Sequence, residues 1–338
     1  MKRLNLCIEE LFRSNTVKNL IVRVGNRDRV FCDMKRSSEG RILTDTTLFD
    51  MASVTKIIAT TPLFFIASDR GLISKNDPVS KFFAVPEDKR DLTVWNLLTH
   101  TMGIGHKSMV KTGYSYENVQ NYVLSIPLDI PIGSDVLYSC PGYVLLGKIL
   151  EEVLAGSLDK LFAELVAKPI GMKYTTFLPP KTLDIVNSND SQRDLGLVND
   201  YNCRYLGGVA GNAGLFSCIE DVMRYVHVLL SYGAPLFSKE IFFDAIKNHT
   251  PTMEENRGLG FLYVGEAYEQ TASLFPIGSI GHCGHTGQSV FVNPENGLYA
   301  IVLSDATLCA GKKYGDGYYD VVKKMRHDIH EAIKEDIR

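Results

Sequence analysis

Ser53 and Lys56 lie three residues apart in the stretch DMASVTKIIATT, at the start of an apolar run with helical spacing. A serine hydroxyl is a weak nucleophile at neutral pH and needs a neighbouring base to accept its proton. Because positions i and i+3 of a helix share one face, we expect the Lys56 amine beside the Ser53 hydroxyl. The pair predicts nucleophilic catalysis, with the alternative interpretation that Ser53 only caps the helix.

Two later stretches contain groups that could complete such a site. LYSCPGYVLLGKI contains Tyr138, and GHCGHTGQSVFV contains His285, Thr286 and Gly287 at the start of an expected strand. In this order, S-x-x-K, the tyrosine motif and H-T-G resemble the three motifs of the serine β-lactamase and penicillin-binding protein superfamily, in its class C-like branch. Further blocks such as LTVWNLLTHTMGI and YLGGVAGNAGLFS follow in the family's order, so the resemblance extends over residues 17 to 306.

The resemblance implies catalytic roles for three side chains. Ser53 attacks an ester or amide carbonyl and becomes acylated, while Lys56 and Tyr138 share the proton transfers. The backbone N–H groups of Ser53 and Gln288 are expected to form the oxyanion hole. The function that follows is that of a serine hydrolase, which cleaves a small ester, amide or D-amino-acid peptide, β-lactams included. The alternative is a non-catalytic penicillin-binding module of the same fold.

The third motif is expected to bind the substrate. By resemblance, His285 and Thr286 face the substrate's carboxylate or leaving group, and Gly287 lets the substrate backbone approach the strand closely. His285 replaces the family's usual lysine, and the ordinary pKa of a histidine, near ~6.5, lies within the working pH range. On this basis a carboxylate-bearing substrate gains an advantage as the pH falls.

Cys140 also departs from the family pattern, which usually has asparagine two residues after the tyrosine. The asparagine amide holds the substrate's side-chain carbonyl, and a thiol is a weak hydrogen-bond partner. The substitution predicts that Cys140 lines the cleft, that penicillins are held poorly, and that short esters are hydrolysed faster than β-lactams. A second nucleophile at Cys140 is less favoured, because its segment offers no basic partner.

Other residues allow alternative interpretations. His282, Cys283 and His285 could suggest zinc, but a structural zinc site needs four ligands, and no second pair occurs at a suitable spacing. His100 in LLTHTMG could be a base, although the family uses this segment as a structural turn. GGVAGNAG lacks both the GK[ST] ending and the G-x-G-x-x-G phase of a phosphate loop. We therefore expect neither a metal nor a cofactor.

Strands near both ends of the chain are needed to position these groups. NLIVRVGN and RVFCDMKR predict a hairpin near the N-terminus; GLGFLYVG, HTGQSVFVN and LYAIVLSD predict strands near the C-terminus, the last two joined by PENG. Six segments between them have helical periodicity, and helices are expected at both termini. Residues 53–70 are one expected helix that ends at Gly71 and is kinked at Pro62.

The predicted fold class is α/β in the α+β sense, and by resemblance it is β-lactamase/transpeptidase-like. It combines an antiparallel sheet built from both termini, flanking helices and an inserted, mostly helical region. We expect residues 1–338 to form a single catalytic domain, with an α/β part at 1–52 and 251–338 and a mostly helical part at 53–250.

Composition limits the partners. The 338 residues carry a net charge of −3 and their basic residues are scattered, so neither nucleic acid nor a membrane surface is an expected partner. The expected partner is a small-molecule ester, amide or peptide substrate, and the oligomeric state is left open. Seven cysteines without a CxxC pair, and an N-terminus without an apolar signal segment, predict a cytoplasmic protein.

Overall fold

The computed structural model describes residues 1–110, 112–189, 192–266, 269–306 and 317–338, and Cys309 lies outside them. The described strands are β1 (Asn19–Gly25), β2 (Val30–Ser37), β3 (Phe49–Asp50), β4 (Thr176–Phe177), β5 (Leu215–Ser217), β6 (Leu262–Tyr263), β7 (Ile280–Cys283), β8 (Ser289–Val292) and β9 (Tyr299–Ser304). The described α-helices are α1 (Lys2–Arg13), α2 (Thr61–Asp69), α3 (Val94–Leu98), α4 (Val119–Ser125), α5 (Cys140–Leu154), α6 (Leu158–Phe162), α7 (Lys168–Ile170), α8 (Tyr201–Tyr205), α9 (Ile219–Leu230), α10 (Lys239–Ala245) and α11 (Tyr318–Ile337). None of these described helices is both long and apolar enough to cross a membrane.

Six strands form one antiparallel sheet in the order β2-β1-β9-β8-β7-β6. Strand β1, near the N-terminus, pairs with β9, near the C-terminus, so that Leu20 lies opposite Ser304 and Val24 opposite Ala300. The expected hairpins β1/β2 and β8/β9 are both present. The prediction of an antiparallel sheet built from both ends of the chain is confirmed.

Both faces of this sheet are buried. Successive side chains of a strand point to opposite faces, so neighbouring residues of one strand lie in different cores. Ile21 in β1 and Ile301 in β9 belong to the large core shared with the helical region. Their neighbours Val22 and Val302 belong to a second core under α1 and α11. The sheet is therefore the central layer, with the terminal helices on one side and the inserted helices on the other.

The six helical segments expected between the terminal strands are present as α3, α4, α5, α6 with the π-helical turn Ala163–Ala167, α9 and α10. A second sheet of three short strands, in the order β3-β5-β4, is a feature that the sequence analysis missed. It joins Phe49–Asp50, just before Ser53, to two strands within the helical region. The division of the chain at residues 52/53 and 250/251 stays a prediction.

Candidate active site

Lys56 lies at the centre of a hydrogen-bonded group. Its Nζ donates to the Ser53 Oγ at 2.9 Å, to the Tyr138 hydroxyl at 2.8 Å and to the Asn212 carbonyl oxygen at 3.0 Å. The lysine side chain is fully buried. Each of the three N–H bonds of an ammonium therefore meets an oxygen, and loss of one proton leaves a lone pair for the Ser53 hydroxyl. The three residues with predicted catalytic roles are in contact, while the roles themselves stay predictions.

The backbone around Ser53 differs from the expected continuous helix. Ala52–Val54 form a 3₁₀ turn, Lys56–Thr60 form a π-helical turn, and α2 begins only at Thr61. Ser53 caps none of these elements, so its interpretation as a helix cap is wrong. Pro62 lies in the first turn of α2, where proline is tolerated, and not at a kink inside a helix. The short turns still place Lys56 on the Ser53 side.

The glycine-rich segment GGVAGNAG supplies the carbonyl group that Lys56 contacts. Next to Asn212, the Gly211 carbonyl accepts a hydrogen bond from Thr60 Oγ1 at 2.7 Å. A Cβ on Gly211 would lie 2.1 Å from the Tyr143 carbonyl oxygen, so only glycine allows this segment to pack against α5. Sequence reasoning excluded a phosphate loop here but missed the contact with Lys56, because nothing in the local pattern indicates it.

Tyr138 is supported by His100. The two ring centroids lie 4.5 Å apart, and His100 Nδ1 accepts the backbone N–H of Ser139 at 3.0 Å. Burial raises the pKa of Tyr138 well above its ordinary value, so the phenol stays protonated at neutral pH. Burial lowers the pKa of His100 well below its ordinary value. His100 therefore orients Tyr138 as a neutral member of a structural turn.

Cys140 opens α5 and lines the same cleft as Ser53 and Tyr138. Its Sγ lies 3.8 Å from the Lys56 Nζ, and its side chain is buried. Burial raises the pKa of the thiol, so Cys140 remains in its weakly nucleophilic protonated form. The site thus places one hydroxyl in contact with an amine and one protonated thiol beside it.

Asp50 connects the serine segment to the third motif. Its carbonyl oxygen accepts hydrogen bonds from Thr286 Oγ1 at 2.9 Å and from Gln288 Nε2 at 2.5 Å. Its carboxylate accepts the N–H of Ala52, which has a positive φ of 45° immediately before Ser53. Thr286 and Gln288 are fully buried. Their side chains therefore hold the serine segment in place, whereas the sequence analysis expected Thr286 to face the substrate.

The third motif forms the turn between β7 and β8 and does not open a strand. Gly287 has a φ of 96°, and a Cβ there would lie 2.2 Å from Ser304 Oγ and 2.8 Å from Ala306 Cβ. Glycine is therefore required by packing against the end of β9. This reason differs from the expected one, which was close approach of a substrate backbone.

His285 lines the cleft but is covered by aromatic rings of α11. Its ring centroid lies 4.6 Å from that of Tyr318 and 5.6 Å from that of Tyr319. Burial lowers the pKa of His285 from its ordinary value of 6.5 to about 4. The expectation of an ordinary pKa is therefore wrong, because the sequence does not reveal that two tyrosines cover this imidazole.

We predict that the preference for a carboxylate substrate does not change between pH 8 and pH 5.5. A histidine with a pKa of about 4 stays neutral across this range, so it cannot add attraction as the pH falls. The measurement is kcat/KM for a carboxylate substrate divided by kcat/KM for its methyl ester, which cancels the shared chemical step. His285→Lys is the control with a permanent charge. A several-fold rise centred near pH 6.5 in the wild type would contradict the prediction.

The site opens into a cleft of about 500 Å³, lined in part by Ser53, Tyr138, Cys140 and His285. A larger depression of about 940 Å³ lies beside α11 and contains none of these residues. The candidate site is therefore assigned from the chemistry of the residues that line the cleft and not from the size of the cavity. Within the described ranges, no three His, Cys, Asp or Glu side chains are arranged to hold a metal ion.

Sequence reasoning missed Arg257, which also lines the cleft. The side chain is 3% exposed, and its Cζ lies 5.6 Å from the ring centroid of Tyr138. Backbone pairing of Arg257 with Leu262 at the start of β6 brings it beside the main sheet. Its only sequence signal was a basic residue just before the expected strand GLGFLYVG, which is too common to indicate a site.

Comparison with known sequences identifies the family. The sequence profile of the Beta-lactamase family matches residues 19–314. The chain belongs to this family, and it is a serine hydrolase of the β-lactamase fold. It is similar to an Escherichia coli O157:H7 protein named "Putative D-alanyl-D-alanine carboxypeptidase", with 29% identity over 307 residues, covering 78% of this chain and 70% of the relative.

Two solved structures share the fold. A class C β-lactamase from Rhodobacter sphaeroides superposes with a TM-score of 0.78 at 16% identity, covering 100% of each chain. EstCE1, described as a hydrolase with promiscuous acyltransferase activity, superposes with a TM-score of 0.76 at 17% identity, covering 96% of this chain and 98% of that chain. At these identities the similarity establishes the fold alone.

Proposed function

We propose that this protein hydrolyses a small ester, amide or D-amino-acid peptide through an acyl-enzyme on Ser53. The observation that carries the proposal is the position of the Lys56 Nζ, 2.9 Å from the Ser53 Oγ and 2.8 Å from the Tyr138 hydroxyl. An amine in contact with both the nucleophile and a second proton carrier can take the serine proton and pass a proton on toward the leaving group.

The reaction has two halves. In the first, the Ser53 Oγ bonds to the carbonyl carbon and its proton moves to Lys56, while the N–H groups of Ser53 and Gln288 bind the oxyanion. The bond to the leaving group then breaks, the leaving group takes the phenolic proton of Tyr138, and Lys56 returns a proton to Tyr138. In the second half, water attacks the acyl carbon and its proton passes to the same pair; the bond between the acyl carbon and the Ser53 Oγ then breaks, the Oγ takes a proton back, and the carboxylic acid leaves.

The raised pKa of Tyr138 supports its role as proton donor, because the phenol is protonated when the leaving group departs. The name of the Escherichia coli relative supports an amide substrate with D-amino acids, and the description of EstCE1 supports acyl transfer. The thiols of Cys7, Cys32, Cys140, Cys203 and Cys218 are free, which supports action in the reducing cytoplasm.

A fluorophosphonate probe tests the nucleophile. We expect one adduct, located on Ser53 by mass spectrometry, which Ser53→Ala abolishes and the matched control Cys140→Ala retains. Turnover is then measured with p-nitrophenyl esters, aminoacyl-p-nitroanilides and nitrocefin. An adduct on Cys140 would refute the assignment of the nucleophile. Labelling of Ser53 without turnover of any ester, anilide or β-lactam would indicate a penicillin-binding module instead of a hydrolase.

A further inference from the structure

Arg257 has hydrogen-bonding capacity that the fold does not use. Its Nη2 donates to the Glu255 carboxylate at 2.6 Å, whereas its Nε and Nη1 have no hydrogen-bond partner in the described part of the chain. The side chain is only 3% exposed. A buried donor without an acceptor costs free energy, and a guanidinium carries five N–H donors in a fixed plane. The unpaired donors indicate that a ligand supplies the missing acceptor.

Arg257 lines the cleft that contains Ser53. The Arg257 Cζ lies 5.6 Å from the ring centroid of Tyr138, and the Lys56 Nζ lies 5.0 Å from the same centroid. Arg257 and Lys56 therefore both lie next to the ring of Tyr138, which is itself one of the two proton carriers. These distances suit a second functional group on a small substrate whose carbonyl lies at Ser53.

Arg326, the other buried arginine in the described lining of the cleft, serves the fold. Its Nη1 donates to Gln270 Oε1 at 2.7 Å and its Nη2 donates to the Gly284 carbonyl oxygen, so that in the described part of the chain only its Nε has no partner. The bond to Gly284 ties α11 to the turn that contains the third motif. Arg257 is instead anchored by one carboxylate, that of Glu255, whose side chain is 38% exposed. The guanidinium of Arg257 is therefore the better candidate to bind a ligand.

The charges of the cleft favour a ligand with a single negative charge. In the described lining, three side chains are basic (Arg257, Lys323 and Arg326) and two are acidic (Asp200 and Glu255). A carboxylate matches this balance and forms strong charge-assisted hydrogen bonds with a guanidinium. A dianionic group such as a phosphate monoester carries more negative charge than the net positive charge of this lining, and the two acidic side chains would repel it.

We propose that Arg257 binds a carboxylate of the substrate and makes the enzyme selective for acids over their neutral analogues. The proposal rests on the proposed function, since it concerns the substrate of the same cleft. Glu255 competes for the guanidinium, so it both holds Arg257 in place and weakens its attraction for the substrate. The role assigns to Arg257 the contact with the carboxylate that the sequence analysis expected from His285.

Two matched pairs of esters test the proposal. The pair 3-acetoxybenzoate and 3-acetoxybenzamide differs in charge on the leaving group, and mono-p-nitrophenyl glutarate and its primary amide differ in charge on the acyl group. Arg257→Met is expected to lower the acid-to-amide ratio of kcat/KM by about 10- to 100-fold for at least one pair, the usual size of a charge-assisted hydrogen bond. Hydrolysis of the amide should fall less than that of the acid, because the amide cannot make the charge-assisted contact.

Two other substitutions provide an expected change in the opposite direction and a control. Glu255→Gln removes the competing carboxylate, so we expect the acid-to-amide ratio to rise several-fold. This readout stays informative even when Arg257→Met fails to fold. Lys324→Met removes a positive charge from an exposed side chain outside the cleft, paired with Asp328, and should leave the ratio unchanged. A fall in the ratio with Glu255→Gln would contradict the proposal.

Binding to the Ser53→Ala protein separates this inference from the proposed function. Calorimetry with 3-acetoxybenzoate, 3-acetoxybenzamide and the glutarate pair should show tighter binding of at least one acid, and Arg257→Met should remove the difference. If no Ser53-dependent hydrolysis exists but this difference remains, the proposed function fails and the carboxylate site stands. If hydrolysis depends on Ser53 but acid and amide respond equally to Arg257→Met in rate and binding, Arg257 only supports the fold and the inference is overturned.

Discussion

Replacing Lys56 with methionine is expected to lower kcat by about 10²- to 10⁴-fold, the usual contribution of a positioned general base. Methionine preserves most of the buried volume but removes the Nζ that contacts Ser53, Tyr138 and the Asn212 carbonyl. Without it the Ser53 hydroxyl keeps its proton during attack. The measurement is steady-state hydrolysis of the best p-nitrophenyl ester, with the melting temperature of each variant recorded alongside.

Two further lysine substitutions make this result specific. Lys89 is also buried, and its Nζ pairs with Asp88 outside the cleft, so Lys89→Met controls for the loss of a buried lysine and should keep near-normal kcat. Lys56→Arg retains a positive charge but cannot accept the serine proton at neutral pH. We expect it to be as inactive as Lys56→Met. An active Lys56→Arg, or a loss below tenfold in Lys56→Met, would assign the base elsewhere.

Replacing Gly287 with alanine is expected to lower the free energy of unfolding by about 2 to 5 kcal/mol, the sum of backbone strain and overpacking. A φ of 96° is unfavourable for any residue with a Cβ, and the added atom would lie 2.2 Å from Ser304 Oγ. Urea unfolding of the two proteins measures the loss. The active fraction that remains folded should keep a near-normal KM.

Two variants separate the strain from the clash. Gly40 also has a positive φ, of 72°, and a Cβ there meets nothing within 4 Å, so Gly40→Ala isolates the backbone cost at about 1 to 2 kcal/mol. Ser304→Ala removes the nearest clashing atom, so the double variant with Gly287→Ala should be more stable than the two single losses predict. If Gly287→Ala lowers the free energy of unfolding no more than Gly40→Ala does but raises KM strongly, Gly287 is needed for substrate binding and not for the fold.

The elements that the sequence predicted correctly depend on residues close together in the chain. The β1/β2 and β8/β9 hairpins follow from strand periodicity on both sides of a short turn, and the inserted helices follow from their apolar spacing. The contact of Ser53 with Lys56 follows in the same way from a separation of three residues. The pairing of β1 with β9 was predictable because strands occur only near the two ends of the expected pattern.

Features of the site that the sequence did not predict depend on groups brought together from distant parts of the chain. The Asn212 carbonyl reaches Lys56 across 156 residues, and Thr286 reaches the Asp50 carbonyl across 236. No local periodicity encodes such contacts. The hydroxyl of Thr286 thus contacts the serine segment, whereas its contact with the substrate stays a prediction.

The sequence by itself predicted the contact between Ser53 and Lys56 and the alternation of strands and helices, because spacing and periodicity act within a few turns of backbone. The resemblance to a known family added the role of Ser53 and the class of fold. The tertiary structure alone decided the electrostatics of the cleft. Burial beneath two tyrosines of α11 lowers the pKa of His285 to about 4, and the Nε and Nη1 of Arg257 meet no acceptor among the residues that the structure describes. Burial and hydrogen bonding are properties of the packed surroundings, and these surroundings come from segments far apart in the chain.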